Sequence, residues 1–258
     1  PDRPRFVLGS MGPGTKLVSL GQTEWDLMLR SYEEQAEGLL DGGVDAFLIE
    51  TCQDLLQVRC AVNACIKALE ARGRDPFDVP IMVSITIETT GTMLLGSDIA
   101  SAVNALRMLP IASLGLNCAT GPVEMTSHVE YLCRHWDRFV SVVPNAGLPV
   151  LVDGEASYPL QPRPFAEAMR RFVEDRGVNL VGGCCGTTPE HIAALVDLVG
   201  DRPAPKREIV PLEPGCSSLY GFTEFQQDNS FLIVAERTNA NGSRKFKRLL
   251  DAEDWDAL

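Results

Sequence analysis

The 258-residue sequence predicts an α/β protein built on a parallel β-sheet. Two observations predict it. Short β-rich runs alternate with amphipathic stretches of helical period from Phe6 to Leu198. The β-rich runs are apolar on both faces, as parallel strands covered by helices must be.

Taken in order, Phe6-Val7-Leu8 reads as a strand, followed by a Gly-rich turn from Gly9 to Gly14. Thr23 to Leu40 reads as a helix, with Thr23 as N-cap. Its apolar positions are Trp25, Met28, Leu29, Tyr32, Ala36, Leu39 and Leu40, and Gly42-Gly43 ends it. Asp45 to Glu50 is a strand and Asp54 to Leu69 a helix. Pro80 to Thr86 is a strand rich in Val and Ile. Asp98 to Leu109 is a helix with Ser97 as its expected cap. Ala112 to Asn117 is a strand, Gly121 to Trp136 is mostly helix, and Phe139 to Val143 is a strand. Pro164 to Arg176 is a helix and Asn179 to Gly182 a strand. Pro189 to Leu198 is a helix with Thr188 as cap and Pro at its first position.

These are six strand–helix units in series. Such a series builds either a doubly wound sheet or a (β/α)8 barrel. Six units do not close an eight-stranded barrel, so either the sheet is open or two units lie outside this chain. After Leu198 the texture changes. Residues 201–230 carry Pro203, Pro205, Pro211 and Pro214 without a clear period, and read as a linker. Phe231 to Glu236 then reads as a new strand, followed by a polar turn from Arg237 to Ser243 and a basic helix start from Lys245 to Leu250. The expected organisation is therefore a barrel-like part over 1–200, a linker over 201–230 and the opening of another domain over 231–258.

Composition narrows the function. With 45% hydrophobic and 22% charged residues, the chain has the make-up of an ordinary globular protein. A formal net charge of −12 repels phosphate backbones and anionic lipid, which argues against nucleic acid and membrane as partners. No apolar run approaches a membrane span, and no secretory signal is legible. The chain starts Pro-Asp-Arg-Pro, which suggests a fragment or a processed product. Eight cysteines without a secretory signal favour a reducing cytoplasm, and metal binding or catalysis over a disulfide framework. Cys52, Cys60, Cys65 and Cys133 fall in or beside helical patterns and read as small buried hydrophobes.

Three polar clusters stand at the carboxyl ends of strands, where α/β barrels carry their active sites. They are Glu50-Thr51-Cys52, Asn117 to Gly121, and Gly182 to Thr187. Cys118 and the vicinal pair Cys184-Cys185 leave strands that a barrel top would bring together. Three thiolates leave one position open on a tetrahedral zinc, the pattern of a catalytic site. The alternative is a packed or redox-active vicinal dithiol. Glu50 can pair with a ligand's ammonium group or form a structural salt bridge. Asn117 and Asn145 can bond a substrate, orient a ligand cysteine or close Asx-turns. His128, His135 and His191 are expected in solvated or capping roles. Glu88-Thr-Thr-Gly91 names no chemistry, and Gly9 to Gly14 lacks the Gly-Lys-Ser/Thr ending of a phosphate loop.

GLNCATGP (115–122) and LVGGCCGTTPEHI (180–192) resemble the zinc motifs of the homocysteine methyltransferase family, over a similarity running from Phe6 to Leu198. The resemblance implies a (β/α)8 TIM barrel, incomplete here with its amino-terminal units missing, its first strand an exposed edge and its interior partly uncovered. It implies Cys118, Cys184 and Cys185 as zinc ligands. It also implies that Glu50, in the ETCQD stretch, binds homocysteine, with Asn117 and Asn145 as further candidates for substrate binding. The implied reaction is methyl transfer to the homocysteine thiol, forming methionine, with zinc activating the thiolate. RFVLGSMGPG (5–14) and FLIETCQDLLQ (47–57) resemble the cobalamin-dependent members in particular. FLIVAERTNANGSRKFKRLL (231–250) resembles the start of the folate-binding barrel that follows in those members. This implies methylcobalamin as donor, recharged by 5-methyltetrahydrofolate, and folate-, cobalamin- and activation-type domains outside this chain. The rival expectations are a cobalamin-independent homocysteine methyltransferase and a structural-zinc or redox-dithiol domain.

Overall fold

The computed structural model describes residues 4–229, 231 and 239–257. In chain order the barrel-like part comprises β1 (Leu8–Met11), α1 (Trp25–Asp41), β2 (Ala46–Cys52), α2 (Leu55–Glu70), β3 (Ile81–Ile85) and α3 (Ile99–Leu106). It continues through β4 (Ile111–Asn117), α4 (Thr126–His135), β5 (Phe139–Val143), a hairpin of β6 (Val150–Val152) and β7 (Glu155–Ser157), α5 (Pro162–Arg176), β8 (Leu180–Val181) and α6 (Pro189–Val199). Beyond it lie β9 (Gly215–Ser217), β10 (Phe222–Glu224) and α7 (Arg244–Asp251).

Six parallel strands form one sheet in the order β1-β2-β3-β4-β5-β8, curled into a half-barrel. The order settles the topology that the sequence left open. A doubly wound sheet reverses its strand order at a switch point. Here each crossover steps in the same direction, and crossovers of the one usual hand then put the helices on one face. The fold is thus an incomplete (β/α)8 barrel.

The two faces of the sheet differ in chemistry, following the period of two along each strand. Phe47, Ile49, Ile81, Val83, Ile85, Leu114, Val140 and Val142 are fully buried and belong to the core that also takes in α2 residues such as Val58, Ala61 and Cys65. Leu8, Leu48, Glu50, Met82, Ser84, Asn117 and Ser141 instead line an open cavity of about 290 Å³ on the concave side. β1 is one edge of the sheet, and Phe6, Val7 and Leu8 beside it are exposed.

Several boundaries depart from expectation for local reasons. β1 starts at Leu8, so Gly9 and Met11 are buried strand residues and not part of a turn. α1 begins after Glu24, one position beyond Thr23, without a side-chain cap. α3 is capped by Asp98, whose carboxylate accepts from Ser101 N at 2.7 Å, while the neighbouring Ser97 hydroxyl donates to the Leu219 carbonyl. It ends at Leu106, short of Pro110, because a residue before proline disfavours helical geometry. The β6–β7 hairpin was not expected. Its turn is Asp153-Gly154, at φ 51° and 85°, the left-handed pair of a type I′ turn.

The Pro-rich segment after α6 is packed against the barrel as far as β9 and β10. The Arg207 guanidinium donates to the carbonyls of Trp136 and Arg138, and Val210 N donates to Arg134 O at 2.8 Å. Asn104 of α3 donates to the Ser217 hydroxyl at 2.9 Å. Residues from Glu224 onward form a second unit. Within it, Ser243 caps α7 by accepting from Phe246 N. Apart from Phe231, the strand expected to Glu236, with Arg237 and Thr238, lies outside the described residues. Among the described residues no helix is long and apolar enough to cross a membrane.

β4 and β5 approach closely because residue 115 has no side chain. A Cβ there would stand 2.0 Å from Ser141 Oγ and 2.1 Å from its carbonyl oxygen. Gly115→Ala is expected to cost about 3 kcal/mol or more, since overpacking must force the strands apart. Urea unfolding checks this: the midpoint should fall clearly, and an unchanged midpoint would show that the strands can part freely.

Candidate active site

Adjacent parallel strands in register deliver their carboxyl ends at one level. Asn117, the last residue of β4, is paired with Val143, the last of β5, and Val142 with Val181 of β8. The three loops that follow carry Cys118, Asn145 and the Cys184-Cys185 pair. Cys118 and Ala119 take left-handed backbone angles, φ 61° and 55°. Such angles in residues other than glycine hold strain, and proteins keep them chiefly at functional sites.

The loops are tied to one another through the backbone. Cys184 N donates to Pro144 O at 2.8 Å, Ala146 N to Cys185 O at 2.9 Å, and Asn145 N to Thr120 O at 3.0 Å. The buried Asn145 side chain accepts from Cys185 N at 3.1 Å and also bonds Cys118. Thr187 Oγ1 donates to Cys184 O at 2.7 Å. Gly186, at φ 75°, lies under the Tyr158 ring; any Cβ there would stand 2.3 Å from Tyr158 Cβ.

These ties bring three sulfurs together. Cys118 Sγ and Cys185 Sγ are 3.8 Å apart, Cys184 Sγ and Cys185 Sγ 3.9 Å, and all three lie within 4.8 Å of one another. Four sulfurs at ~2.3 Å from a tetrahedral zinc would stand ~3.8 Å apart, so the spacing suits that ion. Among the described residues this is the one cluster of His, Cys, Asp or Glu able to hold a metal. The thiols share protons unequally. The interaction with Cys184 pulls Cys118 down to about 5, while the same interaction and burial push Cys184 well above the thiol range. Tyr158 is the site residue that the sequence did not reveal. It is drawn in by the unexpected hairpin that precedes it, and desolvation, then its hydrogen bond to Cys185, hold its phenol above the ordinary range.

The other candidates separate cleanly. Glu50 is half-buried and lines the concave cavity together with Gly182 and Gly183 of the cysteine loop. Its Oε1 accepts from Ser10 Oγ at 2.5 Å, and among the described residues no cation pairs with it. Asn117 is 1% exposed and is engaged inside the protein. Its Oδ1 accepts from Thr51 N at 3.0 Å and Ser84 Oγ at 2.7 Å, and its Nδ2 donates to Thr51 Oγ1 at 2.8 Å. Thr51 needs that support, being left-handed at φ 60° beside a register shift in β2. Cys52, Cys60, Cys65 and Cys133 are buried, and burial raises their thiols to between about 11 and about 12. Such thiols are inert. His191 caps α6 and bonds the Leu160 carbonyl, and His135 bonds the Val210 carbonyl.

The family model for homocysteine S-methyltransferase matches residues 2–199. Methionine synthase of Mycobacterium tuberculosis (strain ATCC 25618 / H37Rv) is 52% identical over 255 residues, covering 99% of this chain and 21% of that protein. Methionine synthase of Mycobacterium leprae (strain TN) is 52% identical over 259 residues, with the same coverage of 99% and 21%. The chain thus spans about a fifth of the length of these relatives. The apo crystal structure of the homocysteine methyltransferase MmuM from Escherichia coli superposes with a TM-score of 0.56 at 23% identity, over 75% of this chain and 62% of that one. That likeness is one of fold. The chain belongs to the homocysteine S-methyltransferase family.

Asn117→Ala would leave the Thr51 amide without its acceptor in a buried place. The expected cost is about 2–3 kcal/mol of stability. A lowered urea midpoint checks this, and a wild-type midpoint would show that Asn117 does not hold the strand ends together.

Proposed function

We propose that this chain is the homocysteine- and zinc-binding part of a longer methyltransferase that methylates the thiol of homocysteine to give methionine. The observation that carries the reading is the trio of Cys118, Cys184 and Cys185 at zinc spacing, beside a cavity lined by a carboxylate that no cation among the described residues pairs with.

In this reading Cys118, Cys184 and Cys185 hold zinc through their sulfurs and leave a fourth position for the substrate thiol. Zinc held there would supply the positive charge that favours the thiolate form of a coordinating thiol, and the three cysteine thiolates would keep that sulfur electron-rich and nucleophilic. The sulfur lone pair then forms a bond to the methyl carbon, and the electron pair of the bond that breaks stays with the donor. Glu50 accepts from the ammonium group of homocysteine and so orients the thiol toward the cysteines. Asn145 holds Cys118 and Cys185 in place, and Asn117 shapes the cavity wall by fixing Thr51. The donor in this reading is methylcobalamin, recharged by 5-methyltetrahydrofolate, both bound by other parts of the longer protein. Residues 201–230 serve as the link, and 231–258 open the pterin-binding domain. The 52% identity to two methionine synthases supports this choice of donor.

Two substitutions in the full-length protein test the reading. Cys184→Ser is expected to abolish zinc binding and homocysteine methylation together, read by metal analysis and product assay; retained methylation contradicts it. Glu50→Gln is expected to leave zinc content intact while weakening homocysteine binding by about 2 kcal/mol, or roughly thirtyfold. Unchanged homocysteine affinity would remove Glu50 from the substrate site.

A further inference from the structure

The Glu50 carboxylate stands on the concave face near an open sheet edge, and its one side-chain partner among the described residues comes from the edge strand itself. Ser10 and Glu50 share that face because Ser10 pairs with Leu48 and each strand alternates its side chains. The Ser10 hydroxyl donates to Oε1 at 2.5 Å. Across the cavity Asn117 is already committed to Thr51 and Ser84, so it offers no second anchor.

We infer that Ser10 is a positioning residue: its hydroxyl fixes one oxygen of Glu50 and so aims the other at a cationic ligand group in the cavity. A glutamate side chain otherwise loses rotamer freedom when it binds. A hydroxyl that holds the carboxylate in advance removes part of that cost and fixes the ammonium's place relative to the cysteine loop. Ser10 contributes one donor and no charge, so the carboxylate keeps its full attraction for a cation. The inference rests on the proposed role of Glu50 as the ammonium acceptor, and the test separates the two.

The experiment measures calorimetric affinities of the zinc-loaded full-length protein for two thiols. One is L-homocysteine. The other is 4-sulfanylbutanoate, which keeps the thiol and carboxylate but lacks the ammonium group. Ser10→Ala is expected to weaken homocysteine roughly fivefold and leave 4-sulfanylbutanoate unchanged, while Ser10→Thr, which keeps the hydroxyl, restores homocysteine binding. Equal weakening of both thiols would overturn the inference, because the hydroxyl would then act on the strand or the metal and not through the carboxylate. Unchanged homocysteine affinity in Ser10→Ala would overturn it as well. Glu50→Gln in the same series separates the layers. If it discriminates between the two thiols and Ser10→Ala does not, the inference fails alone. If Glu50→Gln does not discriminate either, the proposed role of Glu50 fails with it.

Discussion

Three thiols within 4.8 Å of one another cannot all ionise unless a cation sits among them. Without one they settle into an uneven compromise, with Cys118 as the acidic member and Cys184 the one that keeps its proton. The fold spends a good deal of local order on maintaining this crowded arrangement. Two consecutive left-handed residues, backbone ties between three loops and a buried asparagine all bear on it. A cluster that is costly to assemble and electrostatically incomplete on its own is what the proposed zinc seat requires.

The sheet makes that assembly possible. β4, β5 and β8 are neighbours in a sheet whose order never reverses, so the loops after them emerge side by side. The missing side chain at Gly115 lets β4 lie close to β5, and Asn117 at the end of β4 reaches back to brace Thr51 at the end of β2. The concave face sets Glu50, Ser84, Asn117 and Ser141 among apolar residues such as Leu48 and Met82, while the convex face carries the apolar core. Stability and chemistry are divided between the two sides of the same strands.

Much of this was legible in the sequence. The short apolar runs located five of the six strands of the sheet, the first being read at Phe6–Leu8 where β1 runs Leu8–Met11, and the glycines around Cys184-Cys185 marked a loop where adjacent side chains could converge. The strand order was not legible, because apolar runs fit a doubly wound sheet equally well. Caps were misplaced by one residue where two polar residues adjoin, as at Ser97-Asp98, since only the surroundings decide which side chain turns to the helix. Asp153-Gly154 is itself a hairpin-turn signal, and the hairpin it forms leads into Tyr158. The packing of the Pro-rich segment could not be foreseen: Arg207 holds it through backbone carbonyls, which leave no trace in residue identity.

The proposed chemistry requires a metal that keeps a place for the substrate's sulfur. Zinc-edge X-ray absorption of the full-length protein, with and without homocysteine, tests this directly. The sulfur count is predicted to rise from three to four when homocysteine is added. A count that does not change would mean that the zinc is structural or that homocysteine is not the ligand, and would contradict the account.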